Sequence, residues 1–447
     1  MGIATLTRRR RLGWLLRANR TYRPDIEPRH LREFSAACGE RGYRVSPSTL
    51  SRWENGRVDP TYEGVACYER VLELAPRSLV AVCDTVSRYL TPPGRSAPVL
   101  ARSTIAVGRL DTLLDRALGG DRMTAVDWDD LTCAIAGRPD LRLAPTRAWD
   151  ELAARLLTEM SIADGYYWMV RAEALNRLMA HPVGQSAAIS VAATAAADRS
   201  IQSLIGTVTV FDASADHAAS AHVIRHLTSP VTDRTFYGGL LASAKKLRFG
   251  HFGASQVAGL LPVLLDVVTA ARGSANEALL AAILVDTLPP NRTRRLGVSA
   301  RRVIAGLLAR LEMADPAVHR IRAEVAAEVA APDGGVIDPV FPVLVRELLH
   351  DPVFDVRLYT CFLIDATPLR VPLASALGRE LTRSVRCGAV DRSVILLEAL
   401  RVLGSGEQRR QIERLLATPG LPHPVANSAA YALGHIRGTT ITGSGFV

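Results

Sequence analysis

A chain of 447 residues has room for two to four domains, and 48% hydrophobic with 22% charged residues is ordinary for packed cores. That excludes a mostly disordered protein and a collagen-like one. The net charge of +10 is concentrated. Residues 1–58 hold 13 Arg against Asp25, Glu27, Glu33, Glu40 and Glu54, a local +8, and the other 389 residues share +2. A basic end on a nearly neutral body points to a polyanion partner for that end.

The first element is a helix around Leu12-Gly13-Trp14-Leu15-Leu16-Arg17, preceded by the basic run Arg8–Arg11. Its apolar run is too short for a signal-peptide core. The next informative segment is Val45-Ser46-Pro47-Ser48-Thr49-Leu50-Ser51-Arg52-Trp53-Glu54-Asn55-Gly56-Arg57. Ser46 suits a helix cap, Pro47 its first turn and Gly56 its end. Leu50 and Trp53, three apart, share a face that can be buried. Ser48, Thr49, Ser51 and Arg52 then occupy the other faces, short and polar with one long cation. A helix of that kind suits a DNA major groove.

This string resembles the third-helix signature of the phage-repressor (xenobiotic-response-element) helix-turn-helix family. Leu12-Gly13-x-x-Leu16-Arg17-x-x-Arg20 is similar to that family's first helix and Glu33–Gly39 to its second. Asp59-Pro60-Thr61 with Val65, Tyr68, Val71 and Leu72 is similar to the fourth, and Leu79–Leu90 to the fifth. The resemblance covers about residues 6–90. It implies that Ser48 and Arg52 face base edges, with Pro47 offering an apolar contact. It implies that Thr49, Ser51, Asn55 and Arg57 meet the DNA backbone. Arg41 and Arg44, in the loop before this helix, read equally as phosphate contacts and as solvated cations. Arg20 and Glu54 are implied to form an internal ion pair tying the first helix to the third. Homodimers on two half-sites of double-stranded DNA are usual among such proteins. Two connections, Thr21–Glu27 and Gly39–Val45, are longer than the family's. Arg8–Arg11 reads equally as a flexible arm at the DNA backbone or minor groove and as a basic tail of non-specific attraction.

Thr91-Pro92-Pro93-Gly94-Arg95-Ser96-Ala97-Pro98 reads as a linker. Beyond it, Ala, Leu, Val and Arg recur at helical spacing. Ile205–Phe211 is the main exception and reads as a short strand or buried turn. Pro-marked helix starts at His181, Ser229, Asp315, Asp351 and His423, with a similar start at Gly388, suggest stacked helix pairs. Asp351–Arg357 and His423–Gly434 resemble the second-helix signature of HEAT repeats. The expected architecture is all-α: a helix-turn-helix domain (1–91), a linker (92–108), a helical connector (109–180), a HEAT-like helical region (181–438) and a tail (439–447).

Cys38, Cys67, Cys83, Cys133, Cys361 and Cys387 lack zinc or redox spacing and read as reduced core thiols of a cytoplasmic protein. No uninterrupted apolar run approaches the 18 or so residues of a membrane helix. His222 and His226 have helical ligand spacing but read better as solvated histidines. Asp127, Asp129 and Asp130 around Trp128 read as the acidic start of a helix. Tyr166-Tyr167-Trp168-Met169 reads as core packing, or as the wall of a ligand pocket. No catalytic motif, cofactor fingerprint or metal site is found. The expected function is a sequence-specific DNA-binding transcriptional regulator, not an enzyme, whose helical body senses a small-molecule effector or binds a protein partner. The alternative is a helical-repeat adaptor tethered to DNA by a basic domain. A DNA glycosylase on a helical-repeat body is a third reading, disfavoured by the body's near-neutral charge.

Overall fold

A computed structural model describes residues 6–23, 30–91, 107–163, 165–198, 205–269, 275–294, 296–309, 316–329, 338–351 and 353–436. The expected linker lies outside these residues up to position 106, as do Pro24, Asp315, Pro352 and the tail. The described residues form 24 α-helices and no strand, so the fold is all-α.

Five helices make the N-terminal unit: α1 (Arg8–Thr21), α2 (Leu31–Glu40), α3 (Pro47–Glu54), α4 (Tyr62–Val71) and α5 (Ser78–Leu90). Local chemistry sets their ends. The hydroxyls of Thr7, Ser46 and Thr61 accept from the backbone N–H of Arg10, Thr49 and Gly64 at the starts of α1, α3 and α4. Gly56, at φ +64°, takes a left-handed conformation just past α3. Trp14, Leu16, Phe34, Leu50, Val65, Tyr68 and Leu79 are buried together. The loop between α2 and α3 is pinned: Ser35 Oγ donates to Val45 O, and Tyr43 Oη lies 3.0 Å from Thr61 Oγ1.

The basic run Arg8–Arg11 is neither arm nor tail. It is the first turn of α1, and three of its guanidiniums, those of Arg8, Arg9 and Arg11, have partners far along the chain. Arg8 makes two 2.7 Å hydrogen bonds to Asp59, and Arg11, 4% exposed, donates to Glu347 at 2.6 Å. Thr7 caps the helix and Asp59 and Glu347 compensate its charge, so the segment is ordered by contacts that local charge cannot reveal.

Helices α6 (Val107–Gly119) to α17 (Val298–Ala309) enclose a second core, from Leu110 to Ile304. This core crosses the expected boundary between residues 180 and 181: α8 (Ala148–Ser161) packs on α10 (Pro182–Ala197), and His181 stacks on Trp149 with ring centres 4.3 Å apart. Ile205–Phe211 belongs to a helix, α11 (Ile205–Ala213), packed between α10 and α13 (Asp233–Phe249). Tertiary packing overrides its β-branched composition. Thr124 and Asp127 form a reciprocal cap at the start of α7 (Ala125–Ala136), as the acidic-start reading expects.

At the C-terminal end, α19 (Val340–His350) pairs with α20 (Phe354–Asp365), α21 (Arg370–Arg386) with α22 (Val390–Leu403), and α23 (Gly406–Leu416) with α24 (His423–His435). Helices α20, α22 and α24 pack in succession, and α21 packs on α23 and on α18 (Pro316–Glu328). Of the helix starts read from the sequence, His181, Gly388 and His423 fall at the heads of α10, α22 and α24, and Asp351 lies between α19 and α20; Ser229 instead ends α12 (His217–Thr228), and α13 begins at Asp233.

The N-terminal unit is not set apart from this body. Its core is continuous with that of α18–α24, and α1 touches both α19 and α20. Arg17 pairs with Asp338, Asn19 Nδ2 donates to Ala366 O at 2.7 Å, and Tyr22 Oη accepts from the Asp338 N–H. Arg77, at the head of α5, pairs with Asp129 and Asp130 of α7. Arg88 pairs with Glu173 of α9 (Gly165–Leu178), which also accepts from Thr85 Oγ1 at 2.9 Å.

Candidate nucleic-acid interface

Helix α3 buries Leu50, Trp53 and Glu54 and turns Ser48 and Arg52, four residues apart, to the outside. Asn55, just past the helix, is exposed on the same side. Arg44 before the helix and Arg57 after it are exposed. Among the described residues, the guanidiniums of Arg44, Arg52 and Arg57 have neither an ion pair nor a hydrogen bond. The backbone of Arg9 and Arg10 abuts Gly56, which brings the start of α1 beside the end of α3. The exposed Arg9 and Arg10 side chains extend from that junction. Arg9 shares Asp59 with Arg8, at 3.2 Å.

The remaining polar residues also bond locally along α3. Ser48 Oγ lies 2.9 Å from Ser46 Oγ, which lies 2.9 Å from Thr49 Oγ1. Asn55 Nδ2 turns back to donate to Ser51 O at 2.8 Å and to Ser51 Oγ at 3.3 Å. Pro47, Thr49 and Ser51 are half-buried. Of the loop cations, Arg41 reaches Arg70 O and lies 3.8 Å from Glu73, whereas Arg44 remains free.

What holds α3 lies beneath it. Arg20 Nε and Nη2 donate to the two carboxylate oxygens of Glu54 at 2.7 and 2.6 Å. Glu54 is 3% exposed, and its Oε1 also accepts from Tyr68 Oη at 2.8 Å. Burial alone would lower the Arg20 pKa, but hydrogen bonding and attraction to Glu54 raise it. Burial, then Glu54, pushes the Tyr68 phenol well above its ordinary value. Arg17 Nη1 donates to Glu54 O at 2.6 Å, satisfying a carbonyl of the last turn. No local sequence signal marks Tyr68 and Arg17 as supports of α3. Their roles depend on α1 and α4 crossing beneath it, which no local pattern encodes.

The other sequence candidates behave differently. His226 is buried rather than solvated, and His222 and His226 both pack on Phe211. Burial, then the neighbouring His222 and Arg225, lowers the His226 pKa to about 4. Among the described residues no cluster of His, Cys, Asp or Glu could hold a metal ion. Four cysteines are buried, but Cys387 is exposed and Cys133 half-buried, so the core-thiol reading fails for these two. Among the described residues no helix is long and apolar enough to cross a membrane. Trp168 stacks on Phe362, while Tyr166 and Met169 line a cavity between the N-terminal unit and the body.

Comparison with protein-family models, with curated proteins and with solved structures gave no match.

Proposed function

We propose that this chain is a sequence-specific transcriptional regulator that lays α3 in the major groove of double-stranded DNA. One observation carries the reading. Most arginines of the first 20 residues are engaged by acids or carbonyls, whereas Arg44, Arg52 and Arg57 around the outer face of α3 have no acidic partner. Unneutralised guanidiniums bordering a short polar helix face suit phosphates, and Arg52 suits bidentate recognition of a guanine edge. Ser48 reads beside it and Pro47 offers apolar contact. Thr49, Ser51, Asn55, Arg57 and Arg44 hold the backbone. The protein acts in the cytoplasm without catalysis or cofactor, as a homodimer on two half-sites, and the helical body receives the signal.

Selection from a pool of random duplexes, followed by fluorescence anisotropy at fixed salt, tests this. A defined recovered site, bound at least a hundredfold tighter than scrambled duplex, is expected. Binding with no sequence preference would overturn it in favour of a tethered adaptor.

A further inference from the structure

The charge of the body is unevenly spread. Residues 370–418 hold nine Arg against Glu380, Asp391, Glu398, Glu407 and Glu413, a local +4, while all residues after position 58 sum to +2. The rest of the body is therefore net acidic. This second basic stretch builds a groove of about 700 Å³ between α21 and α23. Gln411 joins the two helices near its middle, donating to Gly378 O at 2.7 Å and to Thr382 Oγ1 at 2.9 Å. Helical spacing orders the rest from that bridge. One turn before it, Glu407 lines one end. One turn after it come Arg414 and Leu415 on α23, facing Val385 and Arg386 one turn past Thr382 on α21. Val385 and Leu415 are half-buried, whereas Arg386 and Arg414 are exposed.

The arginines of the groove differ in what they hold. Arg379 and Arg383 donate to Glu324 of α18 at 2.7 and 3.0 Å, and Arg383 also donates to Glu380 at 3.0 Å. Among the described residues Arg386 has neither an ion pair nor a hydrogen bond, and Arg414 donates only from Nε to Arg410 O, at 3.3 Å. Each stands in the last turn of its helix, where the dipole favours a cation without supplying a carboxylate to pair with it. One end of the groove thus carries two unneutralised guanidiniums, one on each wall, beside an apolar strip. We propose that this groove binds a short acidic segment of a partner protein, with its carboxylates between Arg386 and Arg414 and an apolar side chain on Val385 and Leu415. Arginine forks match carboxylates, and clusters of them recognise acidic motifs. From Glu407 to Leu415 the wall runs about 12 Å, room for about four extended residues. A nucleic-acid strand fits worse, because its evenly spaced phosphates would meet Glu407 at the other end. That the segment acts as a signal rests on the DNA-binding reading; its binding does not.

The probe is a fluorescein-labelled, C-terminally amidated peptide, Gly-Leu-Ala-Leu-Glu-Glu, titrated with the full chain by anisotropy at low salt and without DNA. Saturable one-to-one binding is expected. A peptide with Gln in place of both Glu should not bind, which tests the charge on the unaltered chain. Arg386→Ala and Arg414→Ala should each weaken binding about five- to tenfold, as loss of one charge-assisted hydrogen bond does. Both side chains are exposed and hold no acid, so unchanged melting temperatures are expected. Arg302→Ala, which removes an exposed charge on α17, should leave binding as it was. Absence of saturable binding overturns the proposal, as does equal binding by wild type and the Arg386→Ala, Arg414→Ala double variant. Displacement of the peptide by a scrambled duplex overturns it in favour of nucleic acid. None of these variants alters α3, so failure here is separate from failure to select a DNA site.

Discussion

Gly13 of α1 lies directly under the backbone of Trp53 in α3. A Cβ at Gly13 would stand 2.6 Å from Trp53 O, 2.7 Å from Glu54 O and 2.8 Å from Gly56 N. All three atoms are backbone and cannot swing aside. Gly13→Ala should therefore push α3 outward and destabilise the N-terminal unit by about 1–3 kcal/mol, the usual cost of overpacking. Urea unfolding, with hydrogen exchange of α3 as the local readout, checks this. Unchanged exchange in residues 47–54 would show that the helices absorb the methyl.

The Arg20–Glu54–Tyr68 group makes a second, graded prediction. Glu54→Ala leaves a buried guanidinium without its carboxylate and should cost about 3–5 kcal/mol. Tyr68→Phe removes one donor of three and should cost about 1–2 kcal/mol. A Glu54→Ala loss no larger than that of Tyr68→Phe, measured by denaturant unfolding, would mean the ion pair adds nothing.

On DNA, Arg52 and Arg57 should separate. Arg52→Ala should lose about 1–3 kcal/mol on the selected site and little on scrambled duplex. Arg57→Ala should weaken both alike and reduce the slope of log affinity against log salt by about one. Anisotropy titrations on both duplexes at several salt concentrations distinguish the two patterns. Equal losses for both variants on both duplexes would remove Arg52 as a base reader.

A pH prediction comes from Lys246, which is fully buried and donates to Ser214 O at 2.7 Å and to Ser220 Oγ at 3.0 Å. Burial lowers its pKa from 10.5 to about 8, with Asp212 and Asp216 opposing the shift. Between those values the unfolded chain keeps a proton that the folded chain has released. Stability from this group therefore rises as pH climbs from about 8 towards 10.5. Lys246→Met should remove that rise. Urea midpoints at about pH 8 and about pH 10 test it, and equal slopes in both proteins would refute it.

The seam gives the last prediction. Inserting a protease site between residues 92 and 106 and cutting it should leave two pieces that co-elute in gel filtration. Arg11–Glu347, Arg17–Asp338 and Arg77–Asp129 would still join them, with a shared apolar core beneath. Separation on cutting would show that the chain connection, not the interface, holds the unit in place.

Much of α3 is legible in the sequence because its signals are local. Ser46 caps it, Pro47 opens it, Gly56 closes it, and Leu50 and Trp53 mark the buried side. Arg20 and Glu54 are 34 positions apart, and only the family resemblance suggested pairing them. Arg8–Arg11 misled for the opposite reason. Four adjacent cations look like a solvated run until Asp59 and Glu347 arrive from 51 and 336 positions away. The cavity at Tyr166 belongs to the same class, since its three walls come from distant stretches that no periodicity relates.

A stack of helical hairpins ends in an apolar face that something must cover. Here α19 and α20 open the C-terminal stack, and α1 lies across them with Arg11 and Arg17 fastened to Glu347 and Asp338. The N-terminal unit is thus also the lid of the body's own core. The body stripped of residues 1–91 would lose the helix that packs on α19 and α20 and the partners of Glu347 and Asp338. In such a molecule the N-terminal unit and the body stand or fall as one folded object.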